Sequence, residues 1–397
     1  MTIKIKRFLG LLTFLWASGL LAGCAGAGGE AVASADVVAA LSGEADAAFA
    51  RALAPRPLTF PRDHGAHPDY RTEWWYFTGN LTGEQGNAYG YQLTIFRSAL
   101  TPDAPERASD LATNQVYMAH FAVTDGAAQT HHSFERFSRG AGGLAGAEGE
   151  PRFSVWLEDW SVQQQEEGAL YLRAAATTEA GAPVAIDLTL RETRPPVLHG
   201  DAGLSQKGPE PGNASYYYSL IGLMTSGTVT VGDQATSVRG VSWMDHEFGT
   251  SALSENALGW DWISLQLDPV EAGLALMLAR IRTEGGGALD EFDGTLVRPD
   301  GTQETIHLAD FTLEALDEWT SPRSGITYPS GWRLSLPAYE LALELQPLVR
   351  DQEMAVSFVY WEGAVTVTGS HAGQPVTGQG YVELTGYGSR ADQDYQR

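Results

Sequence analysis

Residues 239–251 read RGVSWMDHEFGTS, and in them Asp245, His246 and Glu247 follow Trp243 and Met244. A histidine held in an apolar space and oriented by a carboxylate can give and take a proton near neutral pH. Few other signatures compete. The chain has no phosphate-binding glycine loop, no G-x-S-x-G elbow and a single cysteine. On a strand, side chains alternate between faces. Trp243, Asp245 and Glu247 then share one face, and Met244, His246 and Phe248 the other. With the apolar face inward, His246 points into an interior. Asp245 cannot be its partner unless a bulge breaks the alternation, so another element must supply the acid. The plainer alternative is a histidine that ties two strands together. A metal held by Asp245, His246 and Glu247 would need ligands from both faces at once, so no metal is expected.

A second dense stretch is FPRDHGAHPDYRTEWWYFTG, from Phe60 to Gly79. Its prolines make the early part a loop. Asp63, His64 and His67 form only a weak metal set, with no ligand at a fixed spacing downstream. Glu73, Trp75 and Phe77 share one strand face, and a carboxyl beside an aromatic wall is a candidate for a shifted pKa or for pairing with arginine. Arg97, at the end of the next strand, is its natural mate, either as a girder or as part of a site. His120 is a further candidate cavity histidine. Tyr217, within Tyr216–Tyr218, offers a hydroxyl, and Trp75, Trp243 and Trp260 offer cavity wall. The catalytic candidates are therefore His246, Asp245 and Glu73. The substrate-binding candidates are Trp75, Trp243, Trp260, Arg97, His120 and Tyr217.

The elements that must position these residues are strands. The chain has 45 Gly, 11 Trp, 15 Tyr and 14 Phe. Alternating runs such as residues 89–97, 184–190, 274–281, 332–345 and 355–360 are separated by glycine-rich turns. Helical periodicity is confined to residues 37–53. Two internal echoes suggest duplication. The stretch from Trp75 to Arg97 resembles that from Trp260 to Arg280, with Trp75 falling on Trp260. VTVGDQATSVRGVSWMDHEFG resembles VTVTGSHAGQPVTGQGYVELTGY, with Asp245 falling on Glu383. The expectation is an all-β chain of two tandem antiparallel barrels, residues 57–250 and 251–397, packed together.

The first 24 residues have a different task. Lys4, Lys6 and Arg7 precede an apolar run that ends Leu21-Ala22-Gly23-Cys24. This reads as an export signal closed by a lipidation cysteine. Residues 25–56, rich in Ala, Gly and Ser, read as a flexible tether. The protein is thus expected to be a bacterial envelope lipoprotein, held by its lipid at the outer membrane and facing the periplasm. The formal charge of −24 makes a nucleic-acid partner unfavourable.

Several of these segments together, FPRDHGAHPDYRTEWWYFTGNL, QVYMAHFAVTD, YYYSLIGLMTSGTVTV, VRGVSWMDHEFG and GWDWISLQL, resemble the AttH/carotenoid 1,2-hydratase-like family. The resemblance runs from about residue 57 to the C-terminus. It implies lipocalin-like barrels, no cofactor, and water chemistry on a lipophilic small molecule, isoprenoid- or lipid-like. The hydratase pattern D-H-x-W is met here by Asp245-His246-Glu247-Phe248, with phenylalanine in the last place. A Tyr-x-Asp expected near residues 276–278 has no counterpart. If an alkene is protonated, Glu73 or Asp245 must supply the acid. Two readings follow: a predicted secreted hydrolase or hydratase using His/carboxylate acid–base chemistry, or a non-catalytic lipoprotein that binds or carries a lipophilic compound. Cys24→Ser is expected to leave the precursor unlipidated and to move the protein from the detergent to the aqueous phase on Triton X-114 partitioning. Unchanged partitioning would overturn the anchor.

Overall fold

The computed structural model describes residues 48–103, 109, 111–251, 253–254 and 256–388. The export segment, Cys24, the tether to residue 47 and most of the expected helix at 37–53 lie outside the described residues. Residues 48–56 have no regular structure but lie against the body. Ala52 is buried beside Tyr216 and Phe248, and the Tyr216 hydroxyl donates to the Ala54 carbonyl at 2.8 Å.

The first sheet has thirteen strands. They are β1 (Thr72–Gly83), β2 (Ala88–Ala99), β3 (Gln115–Asp125), β4 (Thr130–Arg139), β5 (Ala145–Glu148) and β6 (Ser154–Leu157). Then come β7 (Trp160–Gln164), β8 (Leu170–Thr177), β9 (Pro183–Arg191), β10 (Val197–Leu198), β11 (Leu204–Gln206), β12 (Ala214–Val231) and β13 (Gln234–Ser251). The main path is β4-β3-β2-β1-β13-β12-β9-β8-β7-β6-β5. It curls until β6 packs against β2, β3 and β4, a nearly closed antiparallel barrel. Its interior is filled by Trp75, Phe77, Leu93, Phe121, Trp160, Leu172, Leu188 and Met244, among others.

The second sheet is built from β14 (Ala257–Leu267), β15 (Ala275–Thr283), β16 (Gly294–Val297), β17 (Gln303–Ile306) and β18 (Thr312–Ala315). A small separate hairpin, β19 (Glu318–Thr320) with β20 (Thr327–Pro329), follows. The main sheet resumes with β21 (Trp332–Leu336), β22 (Leu341–Pro347), β23 (Glu353–Ala355), β24 (Val359–His371) and β25 (Gln374–Leu384). The run expected as one strand at 332–345 is broken at Pro337, which has no N–H to give a ladder.

The expectation of two tandem lipocalin-like barrels is corrected here. The fold is all-β, but only the first sheet curls into a barrel. The second is an open sheet, β17-β16-β15-β14-β25-β24-β22-β21-β18, whose edge strands β17 and β18 form no ladder with each other. The inner orders do correspond: β3-β2-β1-β13-β12-β9-β8 is matched by β16-β15-β14-β25-β24-β22-β21. The difference lies at the ends. After β8 the first sheet continues through β7, β6 and β5, whereas after β21 the second has only the four-residue β18. A barrel closes only when enough strands carry the edges round to meet.

Register refines the first echo. Tyr76 of β1 pairs with Asp245, and Trp262 of β14 pairs with Glu383. Trp260 is therefore the counterpart of Trp74, not of Trp75. One residue of slip exchanges the faces of a strand, so Trp75 lies in the barrel while Trp260 faces the other sheet. The sheets meet through Tyr76, Tyr217, Ile221, Trp243, Trp262, Met277, Ile281 and Tyr381. Polar contacts add to this: Asn80 Nδ2 donates to the Gly380 carbonyl at 3.0 Å. At a bulge in β12, Gly222 adopts a φ of 63°, and its N–H donates to Gln266 Oε1 at 2.6 Å. A left-handed residue there suits glycine, and the bulge lets β12 bend between the barrel and the second sheet.

Candidate active site

The antiparallel pairing of β1 with β13 divides the candidate residues. Trp75 is opposite His246 and Tyr76 is opposite Asp245. Alternation then sends His246 into the barrel and Asp245 into the space between the sheets. The two faces carry two different polar clusters.

Inside the barrel, His246 Nε2 lies 2.9 Å from Glu73 Oε1, and its ring stacks on Trp75 at 4.9 Å. The Tyr218 hydroxyl is 2.8 Å from His246 Nδ1 and 2.6 Å from His64 Nδ1. The network assigns the proton of neutral His246 to Nε2, donating to Glu73, with Nδ1 accepting from Tyr218. Arg97 Nε donates to Glu73 Oε2 at 2.7 Å, and Arg97 Nη2 donates to the carbonyls of His67 and Tyr70. His67 bridges Glu73 at 2.7 Å and Asp63 at 3.1 Å. Burial would raise the Glu73 carboxyl, but His246, His67 and Arg97 overcome it and hold it well below the usual carboxylate range. Burial lowers His246 despite Glu73. For His67 burial is outweighed by Asp63 and Glu73, and its pKa rises. The cluster is thus ionised Glu73 between cationic Arg97 and His67, whose protonated form is favoured, with His246 held toward its neutral form.

Donor atoms of His67, Glu73 and His246 lie within 4.8 Å of one another, a spacing that a cation could span. Here Glu73 Oε1 instead accepts from His67 Nδ1 and His246 Nε2, and the Arg97 guanidinium already places one positive charge beside Glu73. The cluster is also consistent with moving protons among its members.

Between the sheets lies a cavity of about 340 Å³. Trp74, Tyr76, Trp260, Trp262, Ile281 and Phe292 form much of its wall, with Asp245, Glu247, Lys207, Tyr217, Glu362 and Glu383 among its polar groups. Asp245 is gripped by three donors. The Tyr217 hydroxyl donates to Oδ2 at 2.7 Å, and Trp243 Nε1 to Oδ1 at 2.6 Å. Ser219 Oγ also donates to Oδ1. Behind Ser219 stands buried His199, 2.6 Å from it and 2.8 Å from Thr295 of the second sheet. Burial outweighs the three donors, and together with the Glu247 charge it lifts the Asp245 pKa to about 7. Burial also raises Glu383 to about 8, with Asp245 and Glu247 adding to it. Lys207 pairs with Glu247 at 2.9 Å and sits 3.6 Å from the Phe292 ring centroid.

The family model for AttH-like proteins matches residues 51–387. The chain belongs to the AttH-like family. An AttH protein from Nitrosomonas europaea is 33% identical, with a TM-score of 0.73, and the match covers 85% of this chain and 100% of that one. Kievitone hydratase from Nectria haematococca shares the fold at 17% identity and a TM-score of 0.61, covering 86% of this chain and 96% of its own. No curated protein in the comparison matches the sequence. No helix among the described residues is long and apolar enough to cross a membrane.

In this AttH-like protein the sequence candidates fall into two groups. His246, Glu73, Arg97 and Trp75 meet inside the barrel, with Glu73 and Arg97 also bordering the cavity. Asp245, Tyr217, Trp260 and His120 line the cavity, and Trp243 supports Asp245 from behind. His120 bridges to Tyr360 of the second sheet at 2.8 Å. Lys207, His199, Glu362 and Tyr76 were not anticipated. Lys207 carried a signal, being the only lysine outside the first 24 residues. Glu383 was marked by its echo of Asp245. His199 carried none, since its partners are distant in sequence.

Glu73 and Arg97 are both fully buried. Removing one partner of such a pair leaves an uncompensated charge. Glu73→Gln is expected to cost about 3–5 kcal/mol in urea unfolding, and a loss below about 1 kcal/mol would show the pair to be dispensable. Asp245 has the opposite sign. Its folded pKa of about 7 exceeds its ordinary 3.8, so the folded state holds the extra proton and stability falls as pH rises between the two values. Asp245→Asn removes that slope. The variant should gain on the wild type steadily from pH 4 to pH 7, and parallel stability curves would contradict the raised pKa.

Proposed function

We propose that this AttH-like protein is an acid–base enzyme that uses water on a lipophilic substrate held between the two sheets, with Asp245 as proton donor and acceptor. The observation that carries this reading is the Asp245 carboxyl, facing an aromatic cavity with a pKa of about 7. A group poised near the working pH can both give and recover a proton. Asp245 protonates a carbon of an electron-rich double bond, or the leaving oxygen of an ester. Water attacks the electron-poor carbon so formed, and the proton it sheds returns to the Asp245 carboxylate. Tyr217, Trp243 and Ser219 hold the carboxyl in place, and the tryptophans enclose the apolar body of the substrate.

The roles of the other candidates divide accordingly. Glu73 is held ionised and His246 neutral, so neither offers the acidic proton that an alkene demands. They clamp β1 against β13 and so position Asp245 on the opposite face. In the same reading Cys24 anchors the protein by lipid to the envelope, at the outer membrane and facing the periplasm, as the apolar run before it supports.

The test is incubation with a lipid extract of the producing organism in ¹⁸O-labelled water, followed by mass spectrometry. One component should gain labelled oxygen. Asp245→Asn should slow this by about a hundredfold or more while the protein still melts cooperatively. A lipophilic molecule that binds and is recovered without label would instead establish a carrier.

A further inference from the structure

The cavity holds further polar groups that the chemistry at Asp245 does not use. Glu362 of β24 stands directly opposite Glu383 of β25 in the ladder, and both line the cavity from the second sheet. Tyr76 lines it from the barrel side. Glu362 is 1% exposed and Tyr76 is 5% exposed. Neither Glu362 carboxyl oxygen nor the Tyr76 hydroxyl has a hydrogen-bond partner of normal geometry among the described residues. Glu383, by contrast, accepts from Trp260 Nε1 at 2.9 Å. Buried polar groups are almost always satisfied, and a cluster left open inside a cavity calls for a partner from outside the chain.

We propose that Glu362 and Tyr76, with Glu383 beside them, form a subsite that binds a neutral hydroxyl or carbonyl group of the substrate in the cavity that Asp245 also lines. The inference rests on reading the cavity as the substrate site. It adds that the substrate is an apolar molecule bearing an uncharged oxygen function. Burial and the neighbouring Glu383 push the Glu362 carboxyl well above its ordinary range, although the Tyr76 and Tyr360 hydroxyls oppose this. Burial thus favours the neutral, proton-bearing form of Glu362. A carboxylic acid and a phenol each give one donor and retain acceptor capacity, the complement of a hydroxyl or carbonyl oxygen. The walls around them, Trp74, Trp260 and Trp262, suit an apolar body.

The test uses three probes of one shape: biphenyl, 4-phenylphenol and biphenyl-4-ylmethylammonium. Binding at pH 7 is read by titration calorimetry and by quenching of tryptophan fluorescence. The wild type should bind 4-phenylphenol about tenfold more tightly than biphenyl. Glu362→Leu should reduce that preference to about twofold or less, without weakening biphenyl. Glu362→Gln, which keeps a donor and an acceptor, should preserve most of it, and Tyr76→Phe should remove part of it. These two variants decide the matter if the leucine variant does not fold. A preference unchanged in Glu362→Leu, or tighter binding of the ammonium probe than of the phenol, would overturn the subsite. Biphenyl binding with no phenol preference would overturn this inference alone. Failure of all three probes to bind would remove the cavity as a substrate site, and the subsite with it.

Discussion

The ladder between β1 and β13 is the constraint on which the rest depends. Antiparallel pairing sets Trp75 against His246 and Tyr76 against Asp245, and alternation then sends neighbouring residues to opposite sides. One side is the interior of the nearly closed barrel, filled by side chains. The other is the space between barrel and open sheet, where a cavity remains. Two adjacent residues, Asp245 and His246, thus live in different media, and their protonation states diverge for that reason. His246 is matched to an ionised Glu73, whereas Asp245 meets neutral donors and further carboxyls.

The barrel cluster shows how a buried interior tolerates charge. Glu73 accepts from Arg97, His67 and His246, and the remaining Arg97 donors go to carbonyls and Gln115. Such a network is strongly self-consistent and resists change at any one member. Cavity groups are arranged differently. Asp245 is saturated with neutral donors, Glu383 has one, and Glu362 has none of normal geometry. That gradient from satisfied to open groups distinguishes the cavity from the barrel interior.

The inner strand orders of the two sheets correspond. Corresponding strands of the two sheets present Asp245 and Glu383 at matching ladder positions. Packing the sheets brings both toward one cavity, where each carboxyl makes ionisation of its neighbours harder.

Much of this was legible in the sequence. Alternation alone separated His246 from Asp245, and it placed Glu73 beside Trp75 with Arg97 as mate. The second echo paired Asp245 with Glu383. Those features depend on neighbours along one strand or on the next strand of a hairpin, so local pattern determines them. The first echo slipped by one residue because glycine-rich aromatic strands match almost equally well in either register. The openness of the second sheet, the position of the cavity, and the roles of His199, Lys207 and Glu362 were decided only in three dimensions. Each depends on which strands end a sheet or on which faces of two sheets meet, and those contacts join residues well separated in sequence, 96 positions apart for His199 and Thr295, where no periodicity reaches. The sequence by itself determined strand faces and the chemistry available on each. Tertiary packing decided which face is sealed and which encloses a cavity, because that choice follows from how many strands are present to close each sheet.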